Sequence, residues 1–154
     1  MATMRFNHME LTFARGALTP ETRADIADFY GGVFGWSASD VRVVGQDCLY
    51  LGVDDGQFIL CAETDDPIHS PSYDHLGLLM ESRAEVDTAR AAIATRSATD
   101  DRITIKEYED LRMERVIVHA FYVKYLLPIY FDVQCLEYAP GTEPANRWVF
   151  QRGA

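Results

Sequence analysis

Histidine is scarce in this chain: His8, His69, His75 and His119 are the whole supply. Two of them stand in matching contexts, His8 in NHMELTF and His75 in DHLGLLM. Each follows an Asn or Asp and opens an apolar, strand-like run. Side chains on a strand alternate in direction. Phe6, His8, Glu10 and Thr12 therefore share one face, and Met9, Leu11 and Phe13 form a plain core on the other. Further on, FDVQCLEYAP places Glu137 on the otherwise apolar face of Phe131, Val133 and Cys135. A carboxylate there must find a cation, a hydrogen-bond donor or water. Two histidines and one carboxylate leave several positions open on a metal ion. That set suits non-haem Fe(II), and equally Zn, Mn or Ni. The metal would act as a Lewis acid or an oxygen-binding centre. His119, in VIVHAFYV, is either an acid/base group or a buried, hydrogen-bonded histidine. Glu10 either orients a histidine or points to solvent.

Local elements must hold these groups in place. After the first strand, Thr19 is a good N-cap and Pro20 suits the first helical position. Ile26, Phe29, Tyr30 and Val33 follow at helical spacing, and Gly31, Gly32 and Gly35 are read as ending that helix. VRVVGQDCLYLGVDDGQFILCAE is β-rich, with DDG at 54–56 as a hairpin signal. The polar segment 64–72 with its two prolines reads as a linker. Then the pattern restarts. DHLGLLM is a strand, and Ser82 with Glu85 makes a capping box for a helix carrying Val86, Ala89 and Ile93. ITIKEYE, ERVIVHAFYV and PIYFDVQCLEYA are strand-like, and the charged stretch 107–115 reads as a solvated hairpin or lid. Trp148, Val149 and Phe150 form a candidate docking point in the turn-rich tail. The order is strand–helix–strands, twice, within one domain over 1–154: units at about 5–63 and 73–140, and a tail over 141–154.

The bulk composition limits the function classes. The 154 residues are 48% hydrophobic and 12% aromatic, enough for a real core. The net charge of −10 speaks against sequence-independent nucleic-acid binding and against an anionic membrane surface. Three cysteines, Cys48, Cys61 and Cys135, form no CxxC pair, so a reducing compartment is the natural reading. There is no apolar h-region at the start and no run approaching the ~18 apolar residues of a membrane helix. The expectation is a soluble cytoplasmic protein.

NHMELTF, FYGGVFGW (29–36), DHLGLLM and CLEY (135–138) together resemble the vicinal oxygen chelate superfamily, over about residues 5–140. That superfamily includes glyoxalase I, bleomycin-resistance proteins, methylmalonyl-CoA epimerase and type I extradiol dioxygenases. The resemblance implies an α+β fold: two βαβββ modules forming a cupped mixed sheet with helices outside. It implies metal ligands at His8, His75 and Glu137, a set similar to that of the dioxygenases. A fourth family position falls on QFILCAE, where register decides between Glu63, Cys61 and Ile59. Glu63 in the cup would give a four-ligand, isomerase-type site with a carboxylate base. The family's Asp-Pro-x-Gly-Asn turn is absent, with YLLPIYFDVQ in its place. A tyrosine near the last strand falls on Tyr125 or Tyr130, and Tyr122, Tyr125 and Tyr130 are candidates to line an aromatic pocket. His119 or His69 would shuttle protons.

These readings lead to a metal-dependent enzyme on a small-molecule substrate, an Fe(II) extradiol-type dioxygenase first, on a small aromatic or enol compound. A glyoxalase- or epimerase-type lyase or isomerase is the first rival. A drug- or metabolite-binding protein without catalysis is the second. The resemblance also implies a homodimer whose cups are completed between chains.

Overall fold

The computed structural model describes residues 6–145. The expected docking point at Trp148, Val149 and Phe150 lies outside the described residues. The first unit is β1 (His8–Ala14), α1 (Pro20–Phe34), β2 (Ser37–Val43), β3 (Gln46–Asp54) and β4 (Gln57–Thr64). The second is β5 (His75–Leu79), α2 (Arg83–Ser97), β6 (Thr104–Glu107), β7 (Leu111–Arg112), β8 (Val116–Lys124) and β9 (Tyr130–Tyr138). Each unit is βαβββ, with the two-residue β7 as an addition in the second. The fold is α+β with two open mixed sheets, ordered β1-β4-β3-β2 and β5-β9-β8-β6, with β7 alongside β8. In both sheets the first strand lies parallel to the last. A parallel pair needs a long crossover, which the helix and intervening strands provide.

Local chemistry explains the helix ends. Thr19 caps α1 by accepting from the Thr22 N–H, with Pro20 at its start. Ser82 and Glu85 form the reciprocal capping box of α2. Helix α1 runs through Gly31 and Gly32 and stops only at Gly35, where φ is +72°. That left-handed conformation favours glycine. At Gly32 a Cβ would meet the end of the Arg96 side chain, so a side chain there would displace that guanidinium. Arg96 reaches across to Asp28 of α1 at 2.5 Å.

One hydrophobic core spans both units. Leu11, Ile26, Phe29, Tyr30, Leu51 and Ile59 of the first meet Val86, Ile93, Phe121, Phe131 and Val133 of the second. Tyr30 packs edge-on against Phe131 and donates its hydroxyl to the Tyr125 carbonyl at 3.0 Å. Its phenol is fully buried, and burial raises its pKa well above the ordinary value. Met9, Leu11 and Phe13 face this core, so the alternation in β1 sends His8, Glu10 and Thr12 to the opposite side. None of the described helices is long and apolar enough to cross a membrane.

Candidate functional site

Register decides which side chains share the open faces. Residues directly opposite in a ladder lie on the same face. His8 pairs with Phe58 and Glu10 with Leu60, so the open face of the first sheet carries His8, Glu10, Phe58 and Leu60. The His8 ring stacks on Phe58 at 4.7 Å, and Tyr50 stacks on the same phenyl at 4.8 Å. Ile59, Cys61 and Glu63 belong to the other face, opposite Met9, Leu11 and Phe13. The open position therefore goes to none of the three residues that the sequence put forward. Ile59 and Cys61 are core. Glu63 serves the turn after β1: it accepts from the Leu18 N–H at 2.7 Å and from the Gly16 N–H. Those two backbone donors, Gly16 first, hold its carboxyl below the ordinary glutamate pKa.

In the second sheet His75 pairs with Tyr130 and Gly77 with Asp132, while Asp132 faces Tyr122 and Tyr122 faces Lys106. The open face thus gathers His75, Tyr130, Asp132, Tyr122 and Lys106 from four neighbouring strands. His75 meets Tyr122 edge-on at 5.0 Å. Asp132 is the charged group most deeply set on this face, at 8% exposure. Burial raises its pKa above the usual carboxylate value, opposed by nearby His75 and a hydrogen bond with Tyr122. Its Oδ1 is buried with no hydrogen-bond partner in the structure. A buried polar atom left unpaired is costly and calls for an explanation.

Glu137 is on the wrong side for a ligand in this cup. Alternation along β9 puts it with Phe131, Val133 and Cys135, away from His75. It found a cation-forming partner there: its Oε2 lies 2.8 Å from His119 Nε2. The other ring nitrogen, Nδ1, is 2.9 Å from Asp110 Oδ1. Burial disfavours the charged imidazole, but the Asp110 and Glu137 hydrogen bonds outweigh it and raise the pKa above the ordinary value. Arg83 Nη1 also lies 2.9 Å from Nδ1, so this nitrogen sits between a carboxylate and a guanidinium. His119 is thus a buried, hydrogen-bonded histidine and not a group facing the cup. Tyr125 is also away from the cup, with its hydroxyl donating to Asp100 at 3.0 Å. His69 lies in the segment between the two units.

The structure brings together His75, Tyr122 and Tyr130 of the expected residues, and adds Asp132 and Lys106. Asp132 had a sequence signal: Tyr130, Asp132 and Gln134 are the polar members of an alternating run. The donors suit a divalent ion in one specific respect. His75 Nδ1 stands 2.6 Å from the Tyr73 carbonyl, and His8 Nδ1 stands 2.7 Å from Asn7 Oδ1. Both oxygens are acceptors when Asn7 is oriented this way, so each Nδ1 carries a proton, and Nε2 is the nitrogen that a neutral ring would offer to a metal. A metal-binding histidine is oriented in the same manner. Among the described residues of one chain, no three His, Cys, Asp or Glu side chains converge on a metal position.

No family model matches the chain, and no curated protein matches it. Solved structures do. A glyoxylase/bleomycin resistance protein/dioxygenase domain from Frankia sp. EAN1pec is 14% identical, covering 91% of this chain and 96% of that one, with a TM-score of 0.56. The fosfomycin resistance protein FosX from Listeria monocytogenes is 14% identical over 86% of this chain and 91% of its own, with a TM-score of 0.59. An integron cassette protein from the mobile metagenome of V. cholerae is 16% identical over 88% and 97%, with a TM-score of 0.57. Two βαβββ units with first and last strands parallel, and these full-length neighbours, give the chain the fold of the vicinal oxygen chelate superfamily.

Proposed function

We propose that the chain is a metal-dependent enzyme acting on a small molecule bound on the open face of its second sheet. The observation that carries this reading is the buried, unpartnered Oδ1 of Asp132 diagonally across from His75. His75 and Asp132 supply one nitrogen and one oxygen donor. His8, offered by a second copy of the chain in a homodimer, completes a two-histidine, one-carboxylate set. Asp132 takes the role that the sequence assigned to Glu137. When bound, a ferrous ion would supply adjacent open coordination positions and redox chemistry, as an extradiol-type dioxygenase on an aromatic or enol substrate requires. The protein's own groups orient the site. Tyr73 fixes the His75 tautomer through its carbonyl, Tyr122 holds Asp132, and Tyr130 flanks His75.

The raised pKa of Asp132 favours a second reading, a lyase or isomerase in which this carboxyl moves a proton. Mn²⁺ titration followed by paramagnetic broadening of amide resonances tests the metal site. Broadening centred on His75 and Asp132, lost in Asp132→Asn and His75→Ala but kept in Glu137→Gln, is expected. Iron in protein isolated under anaerobic conditions would favour the oxygenase, and zinc or nickel the isomerase. No broadening near His75, together with undiminished binding of small molecules in His75→Ala, would leave a non-catalytic binding protein. A monomer at all concentrations in light scattering would remove His8 from the set.

A further inference from the structure

The chain contains only two lysines, Lys106 and Lys124. Both lie on the open face of the second sheet, on neighbouring strands. Lys106 faces Tyr122, which faces Asp132, and Lys124 faces Thr104 one row away. Lys106 Nζ stands 3.9 Å from the centre of the Tyr73 ring and 4.3 Å from that of Tyr130. Lys124 Nζ stands 5.5 Å from the centre of the Tyr130 ring. Ring faces attract an ammonium but leave its charge in place.

Most of the described arginines behave differently. Arg15, Arg23, Arg83, Arg90, Arg96 and Arg102 each face a carboxylate. Among the described residues neither lysine forms an ion pair, although both are half-buried and the chain carries ten more acidic than basic groups. A half-buried cation keeps its charge at least cost when an anion completes its surroundings. Here the ring neighbours are tyrosines. The Asp132 carboxyl is turned toward His75 and Tyr122, one row position away.

We propose that Lys106 and Lys124 form an anion subsite, so that the molecule bound on this face carries a carboxylate, phosphonate or phosphate group next to an aromatic or otherwise planar body. The anionic group sits at the two ammonium groups. The planar body lies along the tyrosine rings toward His75 and Asp132. This inference rests on the open face of the second sheet being the binding surface.

Binding of benzoate, phenylphosphonate and the neutral analogue benzyl alcohol, followed by amide chemical shifts in the full chain, tests it. Benzoate or phenylphosphonate is expected to shift Tyr122, Tyr130 and Asp132 resonances. Their affinity should fall ~tenfold or more in Lys106→Met/Lys124→Met, the loss expected for charge-assisted hydrogen bonds. Lys106→Arg/Lys124→Arg should keep most of it, and weak benzyl alcohol binding should stay unchanged in all forms. Folding of each variant is checked by circular dichroism. Which anion binds more tightly tells carboxylate from phosphonate or phosphate. Benzyl alcohol binding as well as benzoate, with no loss in the methionine variant, would overturn the anion subsite while keeping the binding surface. Shifts from no probe at any of these residues would overturn both.

Discussion

His119 Nε2 and Glu137 Oε2 lie 2.8 Å apart, on the face of the second sheet that turns away from His75. Their strands pair so that His119 opposes Cys135, and Glu137 opposes Ile117. With Asp110 and Arg83 both at the other ring nitrogen, His119 is buried between two acids and a guanidinium. Its folded pKa lies above the unfolded value of about 6.5. The pair therefore contributes stability that is fully present below about pH 6.5 and is lost as pH rises through the folded value. Urea unfolding at a series of pH values should show stability falling over that window. Glu137→Gln should flatten the slope and lower the His119 pKa read by NMR. It should leave Mn²⁺ broadening at His75 in place.

Asp132 has the opposite linkage to an ordinary paired carboxylate. Burial raises its folded pKa above about 3.9. The neutral acid is the better fit to the metal-free fold, so this group weakens the fold as pH rises through its folded pKa. Asp132→Asn should stabilise metal-free protein at pH 8 by about 0.5–2 kcal/mol, a gain that shrinks toward pH 4. The same variant should lose metal binding. Stability gained together with function lost is the behaviour of a residue kept for its site. An unchanged or lowered midpoint at pH 8 would mean that Oδ1 meets a partner in solution.

Much of the fold could be read before any coordinates, because each element carries its own signal. Thr19 and Pro20 start one helix and Ser82 with Glu85 starts the other, by side-chain chemistry that acts within one turn. The matching of His8 and His75 was legible as a repeat of strand pattern. The place of Asp132 beside His75 was not. Its face depends on the pairing of β5 with β9, a non-local register that no local motif contains. A one-residue error in such a register exchanges the two faces. Glu137 shares the face of Phe131, Val133 and Cys135, where it needed a cation, a hydrogen-bond donor or water; its partner there is His119. Glu63 had the same history, with backbone N–H groups of the Gly16–Leu18 turn as its partners.

Glu63 should behave as a turn anchor. Its folded pKa is depressed, chiefly by the Gly16 and Leu18 N–H groups, so its contribution is present above about pH 4.3 and lost as pH falls through the folded value. Glu63→Ala should cost roughly 1 kcal/mol at pH 7, the scale of one hydrogen bond with a charged partner at a partly exposed site. The cost should fade in acid. Metal broadening and ligand shifts on the second sheet should match those of the parent protein. A strong functional loss without a loss of stability would return Glu63 to the site.

The single core predicts that the two units unfold together. Tyr30 of the first unit is fully buried against Phe131 of the second, and its hydroxyl reaches the Tyr125 carbonyl. Removing that hydroxyl in Tyr30→Phe keeps the ring and leaves the carbonyl without this donor, at a cost of about 1–2 kcal/mol. Phe131→Ala also removes the ring and leaves a cavity, at a cost of about 3–5 kcal/mol. Both changes should shift one cooperative transition, with the same midpoint by fluorescence and by circular dichroism. If the units were independent, Tyr30→Phe would split the curve and destabilise only the first. A single transition in both variants instead ties the face that carries His75 and Asp132 to the packing of α1, so damage far from the cup should loosen the site.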